Sequence, residues 1–290
     1  MKIRTLMSVV KSAFAGNGSV QPIATYPSAI VDSQGCEFGF EMYYHIGYAY
    51  HLHQQGLLEQ TISCRDTKCF YWFSPRHQEK YERRGWVANY PSIAQTPHEL
   101  PDVSRWDVPD FAAQYVNHVD FGFGLPLLLV FNKYNSEWGG PPVNYLSKEF
   151  LMQLAKWATG RMQVVYFRPT AKIIADDSEV FNLGEKSELT ELGVIMAESL
   201  HDDYSHLSFN EFQLCLLSQS KLRITVQGGA AYLNALFPGQ LALLHRKGAE
   251  KEAGTYEAFR KMNVDEVCVY DNESALFENM CEGFVELGAA

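Results

Sequence analysis

Short apolar runs alternate along the chain with polar, periodic stretches, and the plainest instance lies in the second half. Residues 222–226 form an apolar, β-rich run, Gln227-Gly228-Gly229 a paired-glycine turn, and residues 230–236 a small-residue helical run. Phe237-Pro238-Gly239 then turns the chain into a second apolar run at 241–244, which ends in His245-Arg246-Lys247-Gly248-Ala249-Glu250. A strand–turn–helix–turn–strand unit of this kind places Gln227 and His245 together at the carboxyl ends of neighbouring strands, where open α/β sheets bind ligands. The turn offers free backbone N–H groups at a helix start, and its glycines let an anion approach closely. Gln227, Gly228 and Gly229 are therefore candidates for holding a phosphate, although a plain strand-to-helix connection carries the same pattern.

Residues 38–55 predict an aromatic helix, because Phe40, Tyr44, Tyr48 and Leu52 recur every four residues and Gly56 follows. Residues 61–64 and 69–73 read as short strands, and the charged stretch 75–84 as an exposed helix opened by Ser74 and Pro75. Four prolines, at 91, 97, 101 and 109, make residues 87–109 an extended connection. Residues 125–131 are the strongest buried strand of the first half, followed by a polar loop at 132–138 and the break Gly139-Gly140-Pro141-Pro142. An amphipathic helix at 146–159, closed by Gly160, leads to a buried strand at 163–167. Helices at 189–200, 210–218 and around 256–262, and a last strand at 266–270, complete the pattern. Strands alternating with helices imply parallel sheets covered on both faces. The expected fold is α/β, with two Rossmann-like lobes and a cleft between them: a lead-in over 1–30, a first lobe over 31–145 and a second over 146–290, with the boundary inside 136–162.

Composition narrows the function classes. The 290 residues are 47% apolar, ample for buried cores, and a formal charge of −10 argues against nonspecific binding to nucleic acid or anionic membrane. An anionic substrate then requires a local basic pocket. The six cysteines include no C-x-x-C pair and no zinc-finger spacing, so reduced structural thiols are expected. Lys11 cuts the apolar run at 6–10 too short for a secretory signal, and no run approaches the roughly 18 apolar residues of a membrane span. A cytoplasmic location without a transmembrane segment is expected.

Several side chains are placed to do chemistry. Arg168 follows a buried strand and precedes a proline, which suits either a diphosphate clamp or a structural ion pair with an acidic residue such as Asp176. Lys133 holds the equivalent strand-end position in the first half, as a second cation or a solvated loop lysine. Glu37 and Glu41 share a helix face in aromatic surroundings, where a carboxylate gains proton affinity and suits general acid–base work, unless that face is solvated. Glu137, beside Trp138, is another candidate base, and an aromatic neighbour is a common platform for a sugar ring. His45, His51 and His53 fall at helical offsets that disfavour a shared metal. The sequence has no D-x-D metal clip, no G-x-S-x-G elbow, no P-loop and no complete G-x-G-x-x-G.

Taken together, Tyr166-Phe167-Arg168-Pro169, Asn210-Glu211-Phe212-Gln213-Leu214, Val226-Gln227-Gly228-Gly229 and His245-Arg246-Lys247-Gly248-Ala249-Glu250 resemble glycosyltransferase-like proteins of polysaccharide gene clusters. Gly35-Cys36-Glu37-Phe38-Gly39-Phe40-Glu41, Tyr71-Trp72-Phe73-Ser74 and the 132–138 loop look like landmarks of the same group. The second lobe is similar to the nucleotide-binding lobe of fucosyltransferases and other two-lobed (GT-B-like), metal-independent sugar transferases. The resemblance implies a nucleotide diphosphate sugar as donor and no further cofactor, with the glycine turn and Arg168 near the diphosphate and Gln213 and Glu250 near the nucleoside. The chain departs from the pattern just after the glycines, where Ala230-Ala231-Tyr232 replaces a small hydroxyl residue. The expected activity is transfer of a sugar to a hydroxyl of a glycan acceptor, with Arg168, Gln227, Gly228 and Gly229 on the donor, Lys133 or His245 as second cation, and Glu41 or Glu137 as base. The alternative is a catalytically silent carbohydrate-binding or scaffold protein with the same fold.

Overall fold

In a computed structural model of the chain, which describes residues 29–84, 107–168 and 180–288, with backbone alone beyond residue 280, the apolar runs become parallel strands. The first part holds β1 (Ala29–Asp32), β2 (Leu58–Cys64) and β3 (His77–Tyr81), paired in parallel in that order. The second holds β4 (Leu127–Phe131), β5 (Gln163–Phe167), β6 (Ile195–Met196), β7 (Leu222–Val226), β8 (Gln240–Leu244) and β9 (Glu266–Tyr270). Their spatial order is β6-β5-β4-β7-β8-β9, parallel throughout. The chain therefore starts at the centre, builds outward to β6, and returns across β4 to build the other half, which is the strand order of a doubly wound Rossmann-type sheet.

Local chemistry explains the elements. All five residues of β4 and of β7 are buried, as expected for strands covered on both faces. The helix Lys148–Ala158 starts where the Ser147 hydroxyl accepts from the Phe150 N–H at 3.1 Å, and it buries Phe150, Leu151, Leu154, Ala155 and Ala158 on one face. The helix Phe209–Gln219 is capped twice. Ser208 accepts from the Glu211 N–H at 3.2 Å, and Asp66, on the loop after β2, accepts from the Asn210 N–H at 3.0 Å. That second cap ties the first sheet to the second.

Several expectations need correction. The strand at 125–131 is β4, which pairs with β5 and β7, so the chain passes from one sheet to the other before Leu127, ahead of the 136–162 boundary. Residues 69–73 form no strand: Cys69, Phe70 and Tyr71 belong to a 3-10 turn at Lys68–Tyr71, and Trp72 and Phe73 follow it. The expected helix at 75–84 is the edge strand β3, whose charged residues suit an edge facing water. The expected helix at 189–200 divides into helix Lys186–Glu191, β6 and helix Ala197–Asp203, with Gly193 at φ +82° making the break. Ala29 and Ile30 already belong to β1; residues 1–28 of the lead-in and most of the 87–109 connection lie outside the described residues.

The aromatic helix at 38–55 forms as Phe38–Phe40, a π-helical turn at Glu41–His45 and Ile46–Gln54. Its first turn lies against the helix Gly229–Ala235. A β-carbon at Gly229 would stand 2.9 Å from the Phe38 ring and 3.3 Å from the Gly39 nitrogen, and one at Gly39 would stand 2.8 Å from the Tyr232 ring. One apolar core spans both sheets, with Val31, Ile46 and Phe70 joined to Leu129, Phe131 and Phe212.

Replacing Gly229 with Ala should thus destabilise the protein by about 1–3 kcal/mol through overpacking. Urea unfolding of the variant measures this, and an unchanged midpoint would show that the contact is slack.

Candidate functional site

The chain reverses direction across the sheet between β4 and β7, and polar side chains gather at the carboxyl ends of these two strands and of β8. Lys133, two residues past β4, donates from Nζ to Gln227 Oε1 at 2.9 Å and to Glu137 Oε2 at 3.1 Å. Gln227, the first residue past β7, donates from Nε2 to Glu250 Oε1. His245, the first residue past β8, has its Nδ1 2.6 Å from the Tyr256 hydroxyl. Hydrogen bonds join Lys133, Glu137, Gln227 and Glu250, with His245 at the next strand end; the sequence singled out Lys133, Glu137, Gln227 and His245 by their strand-end positions and Glu250 through the resemblance.

Asn144 ties the cluster together, and sequence reasoning missed it. Its Nδ2 donates to Glu137 Oε2 at 2.8 Å and to the Lys247 carbonyl at 2.8 Å, while its Oδ1 accepts from the N–H groups of Arg246 and Lys247 at 2.8 and 3.0 Å. It lies in a polar loop with no periodic or motif signal, and its role depends on a strand a hundred residues later. Asn132 does the same service nearer β4, donating to the Leu146 carbonyl and accepting from the Leu146 N–H.

Electrostatics distinguish the roles. Burial lowers the Lys133 ammonium below the ordinary lysine value, only partly offset by Glu137 and Glu250, so it is more readily deprotonated than a surface lysine. Burial alone would raise the Glu137 carboxyl, but Lys133, the Asn144 amide and the backbone N–H groups of Val143 and Asn144 hold it below its ordinary value. With those donors at 2.8–3.1 Å, Glu137 is a saturated carboxylate that orients Lys133 and a poor proton acceptor, against its expected role as base. Burial also lowers His245, over the opposing influence of Glu250 and the Gly248 carbonyl. Burial thus favours the neutral imidazole of His245, and of the two residues expected as second cation, Lys133 is the one that bonds to Gln227. Glu250 differs from Glu137: its buried Oε2 has no hydrogen-bond partner among the described residues.

The glycine turn is filled from both sides. Gly228, at φ +134°, adopts a conformation closed to most residues, and a β-carbon there would stand 3.3 Å from Lys133 Nζ. Gly229 is covered by Phe38 and Gly39, so its missing side chain admits a helix, in place of the anion expected there. Trp138, 47% exposed, stands on the same loop as Glu137, with Lys247 Nζ 5.6 Å from its ring centre.

Three expected site residues lie elsewhere. Glu41 is wholly buried, paired with Arg84 and accepting from the hydroxyls of Ser63 at 2.5 Å and Tyr71 at 2.7 Å. Burial favours its neutral form, yet Arg84 and the two hydroxyls hold it ionised below its ordinary value. Wholly buried, with three donors already on its oxygens, it has no access to a substrate and is not placed to act as a base. Arg168, expected on the diphosphate, has a side chain only 5% exposed and pairs at 2.6 Å with Glu185, which takes the structural part imagined for Asp176; it also donates to the Phe181 carbonyl. Residue 176 lies outside the described residues. Gln213 donates to Asn210 Oδ1 at 3.1 Å, on the helix that Asp66 caps, and makes no hydrogen bond within the strand-end cluster among those described.

Among the described residues no group of three His, Cys, Asp or Glu side chains is placed to hold a metal ion, and no helix is long and apolar enough to cross a membrane. No family model, curated protein or solved structure matches the chain.

The buried network makes a pH prediction. Burial pushes His45, which faces Glu41, Asp32 and Arg84, down from 6.5 to about 4. Between those values the unfolded chain binds a proton that the folded chain refuses, so stability falls as pH drops through the window, by about 3 kcal/mol. Glu41, also lowered, adds loss in the same direction. Urea unfolding between pH 7 and 4 should show this slope, flattened in His45→Gln; an equal slope in the variant would place the acid sensitivity elsewhere.

Proposed function

We propose that the protein is a glycosyltransferase that binds a nucleotide diphosphate sugar at the carboxyl ends of β4, β7 and β8 and moves the sugar to a hydroxyl of a glycan acceptor. The observation that carries this reading is the linkage, through Gln227, of the Lys133 ammonium to the Glu250 carboxylate, whose other oxygen has no hydrogen-bond partner among the described residues, at the reversal of a doubly wound sheet. Ligands of such sheets sit at that reversal. Lys133, joined by Lys247, supplies positive charge to a departing diphosphate, and the Glu250 carboxylate, linked to Lys133 through Gln227, is the acceptor for a ribose hydroxyl. No metal enters the scheme, since side-chain cations supply the charge. With Glu41 buried out of reach and Glu137 saturated, the acceptor of the hydroxyl proton is His245, whose neutral form burial favours and which Tyr256 orients.

One observation favours a second reading. Both carboxylates that the sequence offers as a base are filled with donors, as in a catalytically silent protein that binds a sugar or nucleotide and transfers nothing. The two readings part on turnover, because only the transferase releases nucleoside diphosphate from its donor when acceptor is added.

The binding step is tested by thermal unfolding with UDP, GDP and CDP, with and without EDTA. One nucleotide at about a hundredfold over its Kd should add about 2.7 kcal/mol to stability, regardless of EDTA. Lys133→Met should weaken that nucleotide at least about tenfold, the worth of a hydrogen bond to a charged group. Because only the protonated amine attracts phosphate, affinity in the wild type should decline with rising pH before an ordinary lysine loses its proton near 10.5. No shift from any of the three nucleotides would refute the donor site.

A further inference from the structure

A cavity of about 1010 Å³ shares no residue with the strand-end cluster. Its walls come from the loop after β2 and the turn that follows it, from β3, from the 111–118 segment and from the start of helix Phe209–Gln219. It lies beside the joint where Asp66, at φ +59°, caps that helix across the two sheets.

The cavity is lined by side chains of both signs. Arg65 and Lys68 stand among four carboxylates, Asp66, Glu79, Asp202 and Glu211. An anion would meet the four carboxylates, and a wholly apolar molecule would desolvate charges of both signs without recompense. A neutral ligand that carries both hydrogen-bond donors and acceptors meets none of these costs. The apolar surface also has a shape: Trp72 is 39% exposed at the rim, its indole edge-on to Phe73 at 5.8 Å, with Leu207 and Phe209 also lining the cavity. An exposed indole beside paired donors and acceptors suits a pyranose ring, whose C–H face is apolar and whose rim is hydroxylated. The volume is that of a site for several such rings.

We infer that this cavity is an oligosaccharide-binding site, with Trp72 as the stacking platform and Arg65, Lys68 and Glu211 as hydroxyl partners. The site is separate from the proposed donor cluster, and its test uses no nucleotide, so the two stand or fall apart. The full chain is titrated with cellohexaose, xylohexaose and mannohexaose while tryptophan fluorescence is followed. At least one should give a saturable change. Trp72→Ala, at a solvent-exposed position, should keep the wild-type melting temperature and lose that change, with affinity by calorimetry reduced about fivefold or more. Arg65→Ala, which leaves the platform in place, should keep the fluorescence change and weaken binding. No saturable response to any of the three sugars, or a response and affinity retained in Trp72→Ala, would overturn the inference.

Discussion

The close approach of Gly39 to Gly229 is the constraint on which the remaining architecture depends. It brings the first turn of the aromatic helix onto the start of the helix after β7, with Phe38 over the glycine turn and Tyr232 against Gly39. Two residues without side chains are needed for backbones to come so near. The contact draws the first sheet and the second into one core, and Asp66 repeats the connection at the head of helix Phe209–Gln219.

That contact also decides where a ligand's charge can be met. The glycine turn, read from the sequence as an anion cradle, is spent on packing: Gly229 lies under Phe38, and Gly228 leaves room for the Lys133 ammonium. Positive charge at the sheet's reversal therefore comes from a side chain on the β4 loop. Its carboxylate neighbour Glu137, fixed by Asn144 and two backbone N–H groups, holds it in place. Glu41 and Arg84, which the sequence pattern did not pair, form the corresponding fixed charge inside the first part, with Ser63 and Tyr71 completing the carboxylate's shell.

What the sequence made legible follows from the range of the interactions involved. The buried, mainly apolar strands β4, β5, β7 and β8 and the capped helix after Ser147 are encoded locally, and so are strand-end positions such as Lys133, Gln227 and His245. β3 was misread because an edge strand can be as charged as an exposed helix. β6 was lost because two residues between helices carry no period of their own. Glu41 and Arg168 were misplaced because their partners, Arg84 and Glu185, cannot be inferred from spacing, and Asn144 was missed because its work is done across three loops. Arg223, wholly buried at the foot of β7, gave no sign that it would bind the carbonyls of Ser220, Phe237 and Pro238 after the helix end.

The nucleotide site proposed at the switch between β4 and β7 rests on Lys133 and Glu250, not on the glycine turn. The most direct measurement is amide hydrogen exchange of the full chain with and without saturating nucleoside diphosphate, taken from the UDP, GDP and CDP set. The account predicts new protection at residues 132–144 and 245–250, where the loops after β4 and β8 meet the ligand. Protection confined to residues 65–72 and 201–211, or no change at any segment, would contradict it.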